Sequence, residues 1–194
     1  MRNVTKCIVL GLLVIAASLV SAAPASAQGR WKNQDTSHAG GPFYMGISGC
    51  CVCHERAGCT VTDGTPIIVW QASQNDQLWY ETAPGTGPVQ NYYWDGFANT
   101  CLGVAGNSTS NGAQLQIQRC DTSQPGQTWE LDKAESFMAP FPGCFVFRNG
   151  HSGQVAGVSA GNVQNGTNVI QWPFYLGTPN STVGWHPDQF WCPS

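Results

Sequence analysis

Gly157-Val158-Ser159-Ala160-Gly161 has the Gly-x-Ser-x-Gly spacing of a nucleophile elbow, the turn that lifts a serine oxygen clear of a sheet to attack an acyl carbon. That chemistry needs a sharp strand-to-helix turn in an α/β sheet. No strand–helix alternation surrounds this pentapeptide, so it reads as a Gly-rich turn. Cys50-Cys51-Val52-Cys53-His54, with Cys59, offers thiolates and an imidazole, which are zinc ligands. No second ligand pair follows at finger-like spacing, and in an exported chain such cysteines form disulfides. His38, His151 and His186 stand apart along the chain and read as surface or loop residues rather than acid–base catalysts. Glycoside hydrolysis needs two carboxylates across a cleft, and no free domain remains to hold one. The expectation is a protein that is not an enzyme and needs neither metal nor cofactor.

Arg2 and Lys6 precede an apolar run from Cys7 to about Ala23, and Ala25-Ser26-Ala27 supplies the small residues a signal peptidase requires. The run is short for a membrane span, and no lipid-acceptor Cys follows it. Residues 1–27 therefore read as a Sec signal cleaved near Ala27, leaving a secreted chain with no membrane insertion. That chain has 167 of the 194 residues, enough for one ordinary core. Without Arg2 and Lys6 it keeps 6 basic against 11 acidic side chains, the wrong balance for nucleic acid, whose phosphates demand clustered Lys and Arg. Loss of Cys7 leaves 8 of the 9 cysteines, an even number bound for an oxidising compartment.

Helices are hard to sustain among 23 Gly and 12 Pro, and no window of eleven or more residues keeps a helical period. Short β-branched and aromatic runs at 43–47, 67–70, 115–117, 145–147 and 169–172 read as strands between turns. Residues 28–41 show no period and read as a flexible mature N-terminus, with the domain spanning 42–194. Three tripeptides organise it: Gln77-Leu78-Trp79, Gln127-Thr128-Trp129 and Gln189-Phe190-Trp191, each downstream of Asp63-Gly64, Asn111-Gly112 or Asn165-Gly166. With those dipeptides in register, 53–70, 101–118 and 155–172 align without a gap. Turn Gly to motif Gln is 13, 15 and 23 residues, so the third copy carries an insertion near 173–187, read as a surface loop. Three multi-stranded units, none able to bury its apolar face alone, close around a threefold axis as an all-β β-trefoil. Each motif Trp then points inward and its Gln holds a neighbouring turn.

The Gln-x-Trp repeats, and the second copy's Cys101-Leu102-Gly103-Val104 followed by Cys120, resemble the ricin-type β-trefoil lectins. The resemblance covers about 42–194. It implies secreted, non-covalent carbohydrate binding at shallow repeat sites, with galactose-type sugars or cell-wall or plant polysaccharides as partners. A working repeat of that family has a carboxylate two residues after its first Cys position, a stacking ring, and polar side chains at the motif. Carried over, the first copy supplies Glu55, Trp70, Asp76 and Gln77. The third supplies Gly157, Trp172, Asp188 and Gln189, where Asp188, Asn180 or His186 must replace the missing carboxylate. The second, with Gly103, Gln118, Gly126 and Gln127, lacks both ring and carboxylate. The first copy, and Trp70 within it, is thus expected to matter most. The family pattern pairs Cys101 with Cys120, and trefoil closure pairs Cys144 with Cys192; Cys50, Cys51, Cys53 and Cys59 then pair among themselves in an open order. The rival reading is a protein-binding trefoil, either a protease inhibitor or an accessory subunit of a secreted assembly, whose sugar sites are relics.

Overall fold

The computed structural model describes residues 28–35, 43–48, 62–71, 77–81, 86–91 and 100–194. Their strands are β1 (Gln28–Asn33), β2 (Phe43–Ile47), β3 (Ile67–Gln71), β4 (Leu78–Glu81), β5 (Thr86–Gly87), β6 (Val89–Asn91), β7 (Thr100–Val104), β8 (Leu115–Arg119), β9 (Trp129–Lys133), β10 (Phe145–Asn149), β11 (Val155–Val158), β12 (Thr167–Trp172) and β13 (Trp191–Pro193). Among the described residues the only helical elements are single 3₁₀ turns, as the Gly and Pro content implies.

Antiparallel pairing runs β1 to β4, β4 to β6, β5 to β9, β9 to β10, β10 to β13, and β13 back to β1. Among the described strands this closes a barrel with no free edge. Pro88, which has no N–H for a ladder, separates β5 from β6. Three hairpins, β2–β3, β7–β8 and β11–β12, cover one end. The fold is a β-trefoil.

Each motif Trp is fully buried, and its indole N–H donates to a carbonyl on the second strand of its own copy. The bonds are Trp79 to Met45 O at 3.0 Å, Trp129 to Leu102 O at 2.9 Å, and Trp191 to Ala156 O at 3.0 Å. Each motif Gln is buried too, and its side-chain amide donates to the residue after the hairpin's last ring position: Gln71 O at 3.4 Å, Arg119 O at 2.9 Å and Pro173 O at 2.8 Å. The expected division of labour between Trp and Gln is what the structure contains. Around the three indoles pack Met45, Ile67, Val69, Leu102, Leu115, Ile117, Phe147, Val158 and Val169.

Three features depart from the sequence reading. Residues 28–33 are not loose: they are the first strand of copy one, and Trp31 is buried edge-on against Phe147, with centroids 4.8 Å apart. In the hairpins the partner of Trp70 is Tyr44, as Cys101 faces Gln118 and Val155 faces Trp172. Tyr44, not Cys53, therefore stands at the first position of copy one, and the ungapped alignment fails upstream of the turn. Finally, the 173–187 insertion is anchored rather than merely superficial. Trp185 packs on Phe174 and Phe190 beside Cys144 and Cys192, and its indole N–H reaches Thr178 O at 3.0 Å.

Both expected disulfides are present, Cys101–Cys120 and Cys144–Cys192; Cys50, Cys51, Cys53 and Cys59 lie outside the described residues. Closing loops of 19 and 48 residues restricts the unfolded chain. In the chain-entropy account, loss of the first bridge lowers stability by about 3 kcal/mol and loss of the second by about 4 kcal/mol. Urea unfolding of the two double-serine variants measures both, and the longer loop shows the larger effect. Trp191→Phe keeps an apolar ring but strands the buried Ala156 carbonyl. It is expected to lower the urea midpoint by the equivalent of about 1–3 kcal/mol with the slope unchanged.

Candidate functional site

The third copy holds an open cavity of about 530 Å³ lined by Gly157, Ser159, Gly161, Trp172, Tyr175, His186, Asp188 and residues between them. Its floor is the end of β11 and the Ser159–Gly161 turn, where Ala160 and Gly161 both take left-handed backbone angles, φ 56° and 63°. Copy two uses Gly106 and Asn107 for the same turn, residues that enter this region readily. The Gly-x-Ser-x-Gly pentapeptide is thus a repeat turn, as expected.

One wall is Trp172, half-buried at the end of β12. Pro173 ends the strand, and the chain turns back so that the Trp172 indole N–H donates to the Tyr175 hydroxyl at 3.0 Å. Tyr175 stacks on His186, with centroids 4.3 Å apart and planes 27° from parallel. Gln189 fixes this corner: its amide donates to Pro173 O and accepts from Tyr175 N at 3.2 Å. Gln189 and Gln77 are both committed to backbone, so each positions its neighbours.

Asp188 lies in the 3₁₀ turn Pro187–Gln189, only 8% exposed. Its Oδ2 sits 3.4 Å from where a Cβ on Gly157 would be. The carboxylate that strand β11 lacks is therefore supplied from the opposite side. Of the three replacements the sequence offers, Asp188 holds this place. His186 is its neighbour, with Nδ1 3.6 Å from Oδ1. Asn180 sits at the loop tip, its backbone tied to Met138 O. Burial pushes Asp188 up to about 6, against the opposing pull of His186 and a hydrogen bond from its own N–H; the charge of Asp35 adds to the rise.

The second copy has a cavity of about 490 Å³ but no ring on its lining. Gln118 replaces Trp172, and its amide fills the space above Gly103. The remaining polar groups satisfy one another. Asn107 donates to Gln124 and accepts from Gly126 N, while Asp121 takes the hydroxyl and N–H of Ser123, which hold it below the usual carboxylate range. In the first copy Trp70 is half-buried on β3, near the copy-three turn at Gly166. Glu55 and Asp76 lie outside the described residues, and the strand position matching Gly103 and Gly157 is Gly46.

Sequence reasoning missed Tyr175 and the part His186 plays beside it, because both depend on the path of the insertion. It also missed Asn33, whose side-chain amide donates to Asp188 O at 2.9 Å and holds the carboxylate's turn. A signal existed: Trp31-Lys32-Asn33, Val89-Gln90-Asn91 and Phe147-Arg148-Asn149 repeat one pattern. Asn149 makes the equivalent bond to Gly126 O.

Residues 96–172 match the ricin-type β-trefoil lectin domain-like family. No curated protein sequence matches the chain. Among solved structures, the designed threefold-symmetric protein ThreeFoil superposes with a TM-score of 0.61 at 17% identity, over 85% of this chain and 96% of that one. An exo-β-1,3-galactanase from Clostridium thermocellum gives 0.59 at 18%, over 85% of this chain and 30% of the galactanase. The agglutinin from Abrus precatorius gives 0.57 at 15%, over 91% of this chain and 51% of the agglutinin. At these identities the likeness is one of fold.

The raised Asp188 value makes a signed prediction. The folded state keeps a proton there between pH 4 and about 6 that the unfolded chain has released, so stability is greatest below that window and declines as pH rises through it. The decline amounts to about 3 kcal/mol at most. Melting curves between pH 4 and 8 are expected to show this slope in the wild type and to lose it in Asp188→Asn.

Proposed function

We propose that this chain, a β-trefoil whose residues 96–172 match the ricin-type lectin-like family, is a secreted carbohydrate-binding protein whose working site is the third-copy cavity. The observation that carries the reading is the Asp188 carboxylate standing over Gly157 beside the half-buried Trp172. A pyranose has an apolar C–H face and an equatorial belt of hydroxyls. The indole covers the first, and a carboxylate accepts charge-assisted hydrogen bonds from the second. Among the described residues the cavity has one carboxylate, whereas glycoside hydrolysis uses two. Binding without turnover is the proposal, at micromolar to millimolar strength for a shallow site. The two disulfides support export to an oxidising compartment. The ligand is of galactose type or a cell-wall or plant polysaccharide.

A second reading, a protein-binding accessory role, is favoured by the exposure of Met138, Leu176 and Val183. Thr178 bonds to Val183 and Asn180 to Met138, which places them about one loop system.

A glycan array on the mature protein tests the first reading. The site is then located by Trp172→Ala, expected to weaken binding tenfold or more, a loss of about 1–3 kcal/mol. Trp70→Ala is made in parallel. Binding that survives Trp172→Ala and disappears in Trp70→Ala places the working site in copy one, with Glu55 and Asp76.

A further inference from the structure

The charges around the third-copy cavity do not balance. Among the described lining residues Asp188 is the one carboxylate, and there is no Lys or Arg. The described lining group able to carry positive charge is His186, whose Nδ1 stands 3.6 Å from Oδ1, an ion pair only when the half-exposed imidazole is protonated and too long for a hydrogen bond. Asp35 adds a like charge from the β1 side. A carboxylate this buried is desolvated, and burial favours a cationic partner to offset the loss of water. Copy two makes the contrast: its Asp121 is satisfied by Ser123 and Gln124, and Gly126 stands where copy three has Asp188.

Beside the carboxylate are two rings, Trp172 and Tyr175, linked through N–H to O–H. Aromatic faces attract an ammonium as well as covering C–H groups. We propose that the cavity is selective for amino sugars, hexoses bearing a free ammonium group, with the ammonium held by Asp188 and the sugar ring laid against Trp172 and Tyr175. This rests on the carbohydrate reading above and narrows it from any hydroxyl-bearing sugar to a cationic one. A neutral hydroxyl also donates to a carboxylate, but it brings no positive charge to it. An N-acetyl group removes the charge while keeping the nitrogen in place, so the pair of free and acetylated amine isolates the interaction.

The test is calorimetric or array titration of the mature protein with glucosamine and galactosamine oligomers, their N-acetylated forms, the neutral hexose oligomers, and oligolysine as a cation that is not a sugar. At pH 7 the free-amine sugars are expected to bind about tenfold or more tighter than the acetylated ones, the advantage of a charge-assisted over a neutral hydrogen bond. Asp188→Asn, nearly isosteric, is expected to bring that ratio close to one. The wild type alone gives a second readout, free of any folding defect: the ratio falls as pH drops through about 6. Protonation of Asp188 removes the charge that holds the ammonium; His186 and Asp35 are the other titratable groups that face it. Equal binding of amine, acetylated and neutral sugars overturns the amino-sugar assignment and leaves carbohydrate binding standing. Binding of no glycan at all overturns both. Oligolysine binding as tightly as the amino sugars, or an amine preference unchanged in Asp188→Asn and across pH, shows attraction to the acidic surface as a whole and also overturns the assignment.

Discussion

A ring of three backbone hydrogen bonds holds the copies together. The turn glycine of each copy donates to the next: Gly64 N to Ile117 O, Gly112 N to Gln171 O, and Gly166 N to Val69 O, at 2.9, 2.9 and 3.0 Å. Each glycine has a positive φ, from 80° to 90°, which brings its N–H to the neighbouring strand and which a side chain would oppose. The hairpins have few partners of their own, so the buried backbone at their ends must be satisfied from another copy. That requirement makes the three units one cooperative structure. The three buried indoles underneath depend on it, since each needs the first strand of its hairpin in place to receive its N–H.

The ring also explains where the symmetry breaks. In two of the three junctions the turn's first residue adds a side-chain bond to the backbone. Asp63 Oδ1 accepts from Arg119 N and Asn165 Oδ1 from Gln71 N, both at 2.8 Å. The third junction meets Pro173, which has no N–H. Asn111 instead accepts from Gln154 Nε2 at 2.8 Å. The chain after β12 is therefore free of the clamp used elsewhere, and there the insertion departs. Its first turn brings Tyr175 onto Trp172 and His186, while Trp185 and Phe174 anchor it at the Cys144–Cys192 end. The residue without an amide proton is the one at which the third copy's insertion begins.

Much of this was legible because it repeats. The Gln-x-Trp tripeptides and the Asp/Asn-Gly pairs carry the buried indoles and the inter-copy ring, and strands expected from short β-branched runs begin within a few residues of where they lie. What was not legible depends on pairing across long stretches of chain. Strand β1 is held by partners far from it in the chain, β4 and β13, and its own six residues show no period. Cys53 looked like the counterpart of Cys101 because the turn dipeptides, set in register, align the copies without a gap. The register instead selects Tyr44, since the Trp79 indole must reach Met45 and the ladder fixes the rest. The extra length of copy one therefore falls between β2 and the turn.

The same long-range pairing ties the candidate site to the start of the protein. Asp188 is useful only if its carboxylate stays over Gly157, and its own strand does not hold it there. Its turn is pinned by Asn33, whose amide reaches Asp188 O from β1, while Gln34 N bonds to Phe190 O just beyond. Asn33 is itself 1% exposed, and its oxygen accepts from Asp35 N. A carboxylate borne on β11 would be positioned by the hairpin alone. One borne on the turn before β13 is positioned by the strand that closes the barrel, so the residues that complete the fold also aim the charge. The stretch that looked least structured in the sequence is the one on which the geometry of the cavity depends.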